Sequence, residues 1–600
     1  MDLPLYTIGF WELGWSLLAA FGLPLAVAIR RRMDLPLYFL PMLTSIVFGV
    51  CGYGLFLSAV WWHPLVFIAA AAFVSCCCCW WTYRNNNALQ DCLDADCRYP
   101  FLIALLATLL YPMLYFARLS PPYAVSASLL HNHIIVGMPI DAVLQFLLNE
   151  SLLAHMPLDQ GACAILGSPG GWGHGDRPPL LAGQTLFATC LFDTIDGRLM
   201  AYQTLGSICQ ATMFFSGWAM LRAMGVPIAK TITAMVFFAF TGFAFFHTSF
   251  LWSKLQGAAF VGASVCLILS NRRSPATYVL LAVCYALAML SHGSVVFSLV
   301  PLFALTIGRC RTTREAAHHA SAVVLAVVMY VPWVLFQKFV APPGDNLVKY
   351  FLAGATTLND GRSLGESLRE CYSALTWADL LRIRMENVGM FFWRSDVTLG
   401  GGLADVQSVS FFHVVPALGA LLLPIALRWH TLFRDKVVYE GECDGRMPPT
   451  VKSGLRLFLT LFLATTMLWV AVMYSPRAAV IHQGSLFNPW LLFAVALVLL
   501  AYAPPRFQWQ VGVIHIAVFV ALWIVPLPGS TYRYTPIAVL VAAACTSGFA
   551  YLMWTASVLD HPNIALEDSW FSDPAAAHGS TVNTPVVAES VISRGDGGVT

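Results

Sequence analysis

LYFLPMLTSIVFGVCGYGLFLSAV, residues 37–60, is the stretch that decides the fold class. It holds no charged residue and runs into a tryptophan pair, Trp61 and Trp62. A helix rises about 1.5 Å per residue, so roughly 20 such residues cross the ~30 Å hydrocarbon core of a bilayer. Tryptophans at the end of an apolar run mark the membrane–water interface. Membrane-spanning strands would be shorter and alternating, so the run reads as a helix.

Working outward, similar runs recur along almost the whole chain. Residues 7–29 form the first and end in Arg30, Arg31 and Arg32. Positive flanks stay in the cytoplasm, which places the N-terminus outside. Residues 64–83 return to Arg84, and residues 100–117 lead out again. Further runs lie near 199–221, 231–248, 250–270, 276–290, 295–308 and 320–339. Their inner connections carry Arg222 and Lys230, then Arg272 and Arg273, then Arg309, Arg311 and Arg314. The last runs lie near 411–427, 457–475, 486–503, 511–527 and 536–559. The expectation is an all-α, polytopic helical membrane protein of about 13–15 transmembrane helices, with juxtamembrane helices in its outer loops.

Composition agrees. Of the 600 residues, 58% are hydrophobic and only 11% charged, and mean hydropathy is +0.71. A soluble domain carries about 25% charged residues, so a soluble enzyme core is excluded. The net charge of +2 comes with no basic cluster interleaved with aromatics, and no nucleic-acid partner is expected. Most of the 16 cysteines sit inside apolar runs, Cys76 to Cys79 among them, and none forms a paired framework with zinc spacing. That run reads as small membrane-buried side chains, and its place near an inner face also permits palmitoylation in a eukaryotic host. Cys92 and Cys97 flank a short acidic loop that offers a weak metal motif. The start of the chain, with Asp2 and no basic stretch, is not a signal-peptide pattern. MDLPLY occurs at residues 1–6 and 33–38, so Met33 is an alternative start.

The expected division follows from the loops. Residues 1–99 hold the first spans, and 100–340 a membrane core with a long outer loop at 118–182. Residues 341–410 form a second outer loop with amphipathic stretches. Residues 411–559 hold the last spans, and 560–600 a Ser-, Gly-, Ala- and Thr-rich inner tail expected to be disordered.

Chemistry concentrates in the first outer loop. In MPIDAVLQFLLNESLL a helix should open near Pro139 and Asp141. Asp141, Gln145 and Asn149 are four apart and share one face, with Glu150 off it. Next comes GSPGGWGHGDRPPLLAG. Its prolines exclude a regular helix after Arg177, and its glycines let the chain approach a ligand closely. His174, Asp176 and Arg177 thus sit on a stiff, exposed turn just above the membrane. A carboxylate there can act as a general base or bind a divalent metal, and an arginine can hold a phosphate through two hydrogen bonds. Equally, Asp176 and Arg177 can simply pair and cap the next helix. The short runs around LSHGS suit segments that line a polar cavity.

These segments, with FLWSKLQGAAF (residues 250–260) and the two His-Gly-type turns LSHGS and VIHQGS, resemble multi-span membrane proteins of the GT-C glycosyltransferase type. GDRPPLLAG is similar to a DRPPL segment of that group. The resemblance covers residues 100–559 and leaves the first three spans as an addition. It implies a polyprenyl-phosphate monosaccharide donor entering from the lipid of a bacterial inner membrane. The sugar would pass to an acceptor, not identified by sequence, on the extracytoplasmic face. It implies Asp141 as the favoured base, with Asp176 as its substitute or as the ligand of a divalent metal such as Mg or Mn. Arg177 and Lys254 would hold the donor phosphate, and His174, His292 and His482 would line the substrate site. Lysines at span ends also snorkel to the interface, and histidines at turns also serve as hydrogen-bonded turn residues. Many transferases of this type place two adjacent acids at the start of the loop. Here His131, Asn132 and His133 stand there, so a relative that kept the fold and lost the chemistry stays open. So does a transporter or flippase, which would show internal pseudo-symmetry and broken helices.

Overall fold

The computed structural model describes residues 3–116, 141–156, 158, 173–270, 273–342, 344–355, 361–392, 418–433, 447–474, 486–523 and 536–560. Among these residues there are helices and turns and no strand. Seven helices are long and apolar enough to cross a membrane, and a bent pair makes an eighth. Five shorter apolar helices of 10–17 residues join them. The chain is an all-α, multi-pass membrane protein.

The long helices are α1 (Leu3–Arg32), α2 (Leu40–Trp61), α3 (Pro64–Arg84) and, after the short α4 (Asn86–Leu93), α5 (Ala95–Phe116). Proline in the first turn starts α3, where its missing N–H is no loss, and Arg84 lies in its last turn. α3 is almost wholly uncovered by the rest of the chain. Cys76, Cys77 and Cys79 lie on it exposed. An apolar, uncovered helix of this length suits lipid.

The loop after α5 contributes α6 (Asp141–Leu153), a tight turn at His174–Asp176 and α7 (Leu180–Thr189). α7 crosses α2 backbone to backbone. A Cβ on Gly183 would collide with the Gly52 carbonyl, and one on Gly52 with Gln184. Glycine at both crossing points is what lets α7 sink beside α2, and it fixes the turn that precedes α7.

The run expected as one span at 199–221 is two helices, α8 (Ile195–Gln210) and α9 (Thr212–Ala223). The run at 231–248 is also broken, into α10 (Ile228–Ala239) and α11 (Gly242–Ser249), bent by 68°. Thr241 causes this break. Its hydroxyl accepts from the Ala244 N–H and caps a new helix. The Tyr111 hydroxyl donates to the Ala239 carbonyl that the break sets free, at 2.8 Å.

Then come α12 (Lys254–Leu269), α13 (Pro275–Ser291), α14 (Val296–Arg309) and α15 (Thr313–Phe339). α12 runs parallel to α8 and α9: Gln256 meets Gln210, Gly262 meets Ser216, and Cys266 meets Ala219. Lys254 therefore lies at the opposite end of the bundle from Arg222. α16 (Leu364–Ser373) and α17 (Trp377–Phe392) are amphipathic, as expected of the second long loop. Residues 411–417 of the next expected span lie outside the described residues, and its remainder is the short α18 (Leu422–Arg428). α19 (Pro449–Val472), α20 (Phe487–Ala501), α21 (Pro505–Trp523) and α22 (Pro536–Asp560) match the remaining runs. The tail at 561–600 lies outside the described residues.

Candidate functional site

The site is built on α6 and the turn that follows it. Gln145 and Asn149 do share a face, and both reach forward. The Gln145 amide donates to the Pro178 carbonyl at 2.7 Å, and Asn149 to the Thr185 hydroxyl at 2.9 Å. Ser151 meets the His174 ring nitrogen Nε2 at 3.2 Å. Asp141 opens the same helix one turn before Gln145, and its side chain lies outside the described residues. Glu150 points elsewhere and forms a two-pronged ion pair with Arg198 at 2.7 and 2.8 Å.

The turn is buried rather than exposed as expected, because the end of α15 closes over it from the other side. The Gln337 amide donates to the Gly175 carbonyl at 2.7 Å. A Cβ on Gly175 would strike the Ala341 carbonyl, so only glycine fits there. Asp176 Oδ2 accepts from the Gly173 N–H at 2.7 Å and faces the Asn346 amide at 3.5 Å. Oδ1 is buried and has no hydrogen-bond partner. Burial pushes the Asp176 carboxyl up to about 6, against the opposing pull of the Gly173 N–H and the Arg177 charge. Burial also pushes the His174 imidazole down to about 4. At neutral pH this leaves a neutral histidine beside a readily protonated acid, an arrangement fit for moving protons.

Arg177, Lys254 and His292 come together from three segments. All three are buried, at 5%, 2% and 7% exposure. Burial comes first in lowering the His292 imidazole, and the charges of Lys254 and Arg177 add to it. Lys254 opens α12 with its ammonium 3.9 Å from the centroid of the Trp252 ring. His292 lies between α13 and the turn before α14, and its Nδ1 accepts from the Ser294 N–H at 3.1 Å. The neutral ring therefore carries its proton on Nε2, a buried donor without a hydrogen-bond partner. The Ser253 hydroxyl donates to the Ser291 carbonyl at 2.6 Å and joins the α12 start to this turn. Two fixed cations and a free imidazole donor, screened from water, form a setting for an anion such as a phosphate.

One part of the site escaped the sequence reading. Gln184, Gln210 and Gln256 meet at 0–1% exposure just inside Lys254. Gln256 Nε2 donates to Gln184 Oε1 at 2.6 Å, and Gln210 Oε1 accepts from the Gln256 N–H at 2.9 Å. Gln184 Nε2, Gln210 Nε2 and Gln256 Oε1 have no hydrogen-bond partner. A glutamine inside each of three apolar runs was the available signal, because a buried amide at membrane depth is expensive without a partner.

Other expected residues fall outside. His482 and the stretch from His131 to His133 lie outside the described residues. Asp176 belongs to no group of three or more converging His, Cys, Asp and Glu side chains among the described residues. Of the acids near Cys92 and Cys97, Asp91 is held by Arg30 and Arg31 and Asp96 by Arg222, while Asp94 accepts from the Asp96 N–H. Compared with protein-family models, with curated proteins and with solved structures, the chain matches none.

Proposed function

We propose that this chain is a membrane glycosyltransferase of the GT-C kind, working in a bacterial inner membrane. It would use a polyprenyl-phosphate sugar as donor and an acceptor on the extracytoplasmic face. The observation that carries the reading is the meeting of Arg177, Lys254 and His292, buried beside Asp176. In the reaction, an acceptor hydroxyl oxygen bonds to the sugar carbon that carries the phosphate. The bond from that carbon to the phosphate oxygen breaks, and polyprenyl phosphate leaves with the electron pair. The departing oxygen gains charge, which the Arg177 and Lys254 cations offset. The hydroxyl proton goes to a carboxylate: Asp141 is the favoured base, and Asp176 the substitute. His174 stands on the same turn as Asp176 and meets the Ser151 hydroxyl.

A second reading has an observation of its own. Broken helices at α8–α9 and α10–α11 are a feature of transporters and flippases. Against it, the bend at Thr241 is lined by Phe243, Phe245 and Phe246, with His247 packed on two of their rings. That surface is aromatic and gives a polar cargo little to hold.

The test uses the full chain in lipid nanodiscs. Saturable binding of polyprenyl phosphate, lost in Arg177→Ala, is the expected result. Equal binding in both, or none in either, would overturn the donor site. Asp141→Ala should abolish sugar transfer while binding persists. Unchanged transfer in that variant would remove Asp141 as the base. Movement of a labelled lipid across proteoliposomes without any transfer would favour the flippase.

A further inference from the structure

At the far end of the bundle, three side chains of different chemistry converge. The α14–α15 connection is short: α14 ends at Arg309, Cys310 caps it, and α15 starts at Thr313. The Thr312 hydroxyl accepts from the Glu315 N–H, and Glu315 Oε2 in turn accepts from the Arg311 N–H at 3.1 Å. These bonds fix Glu315 on the first turn of α15. His319, four residues on, lies on the same face. The result is a thiol, a carboxylate and an imidazole whose ligand atoms all lie within 4.8 Å of one another. It is the one such group among the described residues.

We propose that Cys310, Glu315 and His319 form a binding site for a divalent cation of the zinc class. A sulfur, a ring nitrogen and a carboxylate oxygen are the donor set that zinc prefers. Zinc holds such atoms about 2.0–2.3 Å away, which puts them roughly 3.5 Å apart in a tetrahedron, so small side-chain rotations close the site. Three ligands leave a fourth position for water. Two observations prepare the site further. His319 Nδ1 is shielded from solvent and has no hydrogen-bond partner. Tyr278 of α13 packs its ring 5.0 Å from the rings of both His318 and His319, which restrains the imidazole.

One group competes. Arg273 pairs with Glu315 Oε1 at 3.0 Å. Its side chain is half exposed, and such pairs are weak because water screens them. A metal that binds three ligands at once displaces it.

The site is separate from the cation cluster. Tyr278 and His292 lie on one helix and the turn at its end, so about 21 Å of helix axis separates the two places. A metal at Cys310 cannot touch the anion at Lys254. Its role is to fasten the α14–α15 connection beside α13, the helix that carries His292 at its other end.

The test uses the full-length chain in nanodiscs with Co²⁺ as the probe. Wild type should bind one Co²⁺ per chain and show a thiolate-to-cobalt charge-transfer band that Zn²⁺ abolishes. Cys310→Ser should lose that band, and His319→Gln should weaken binding at least about tenfold. A measurement on wild type alone guards against variants that fail to fold. Zn²⁺ should slow alkylation of Cys310 and leave Cys371 unaffected. Absence of the band in wild type, its persistence in Cys310→Ser, or zinc-independent alkylation of Cys310 would each overturn the proposal.

Discussion

The two ends of the helix bundle treat charge in opposite ways. At the end marked by Arg30 to Arg32, the acids Asp91 and Asp96 are closed. Arg30 and Arg31 both reach Asp91, at 2.9 and 2.7 Å. Asp96 takes two bonds from Arg222, at 2.7 and 3.1 Å, and one from the Trp218 indole at 3.1 Å. At the other end, His174 Nδ1, Asp176 Oδ1 and His292 Nε2 are buried without hydrogen-bond partners. A buried polar atom in that state costs about 1–3 kcal/mol. Closed pairs stitch helices together. Open groups are tolerated where a ligand completes them, so the contrast separates the part that builds the protein from the part that binds.

The largest expected effect tests the closed end. Asp96→Ala leaves the Arg222 guanidinium and the Trp218 indole without their acceptor. The Arg222 pair is partly exposed, but the Trp218 indole is fully buried and its N–H is left unsatisfied, so a loss of about 1–3 kcal/mol is expected, read as a lower Tm in detergent. His292→Gln should lower Tm far less, because its Nε2 has no hydrogen-bond partner to lose. Equal losses in the two variants would break the comparison and make the turn another stitch.

The next effect tests the open end. Charge-assisted hydrogen bonds are worth about 1.5–3 kcal/mol, or roughly 10–100-fold in affinity. Lys254→Gln should weaken polyprenyl-phosphate binding by about that factor, with little change in Tm. A full-affinity Lys254→Gln variant would leave the lysine as a snorkelling residue packed on Trp252.

The pH dependence sharpens the picture of the turn itself. Asp176 is raised from 3.8 to about 6, so between those values the folded state holds a proton that the unfolded state has lost. Its contribution to stability therefore falls as pH rises through that window. His174 is lowered from 6.5 to about 4, and here the unfolded state holds the extra proton. Its contribution falls as pH drops through the same window. In wild type the two slopes largely cancel. Asp176→Asn should expose the histidine slope, with Tm falling from pH 6.5 towards 4. His174→Gln should expose the opposite slope. Each effect is of order 1–3 kcal/mol. Flat profiles in both variants would show that burial shifts neither group, the folded and unfolded states binding protons alike.

Much of this was legible in the sequence where one segment decides the matter. Residues 37–60 are charge-free and form a helix long and apolar enough to cross a membrane. The four-residue spacing of Gln145 and Asn149 placed them on one face. The prolines after Arg177 made the turn. What stayed hidden depends on segments far apart in the chain. Thr241 reads as an ordinary residue of an apolar run, until its capping role and the Tyr111 hydroxyl reveal the bend. Gln184, Gln210 and Gln256 are harmless singly and become a network only when α7, α8 and α12 meet. The acidic loop between Cys92 and Cys97 read as a weak metal motif because the arginine that holds Asp96, Arg222, is remote in sequence.

The smallest predicted effect falls on Glu150, a neighbour of the site on the same helix. It lies off the Gln145–Asn149 face and pairs with Arg198, itself bonded to the Phe192 and Asp193 carbonyls at 3.3 and 2.8 Å. The pair is partly exposed, so solvent discounts it, and Glu150→Gln keeps one acceptor and the two carbonyls. The expected loss is at most about 1 kcal/mol, seen as a small drop in Tm. Polyprenyl-phosphate affinity should stay at the wild-type value. Weaker binding in Glu150→Gln would mean that its carboxylate works with the turn, and the boundary between stitch and site would then run through α6 itself.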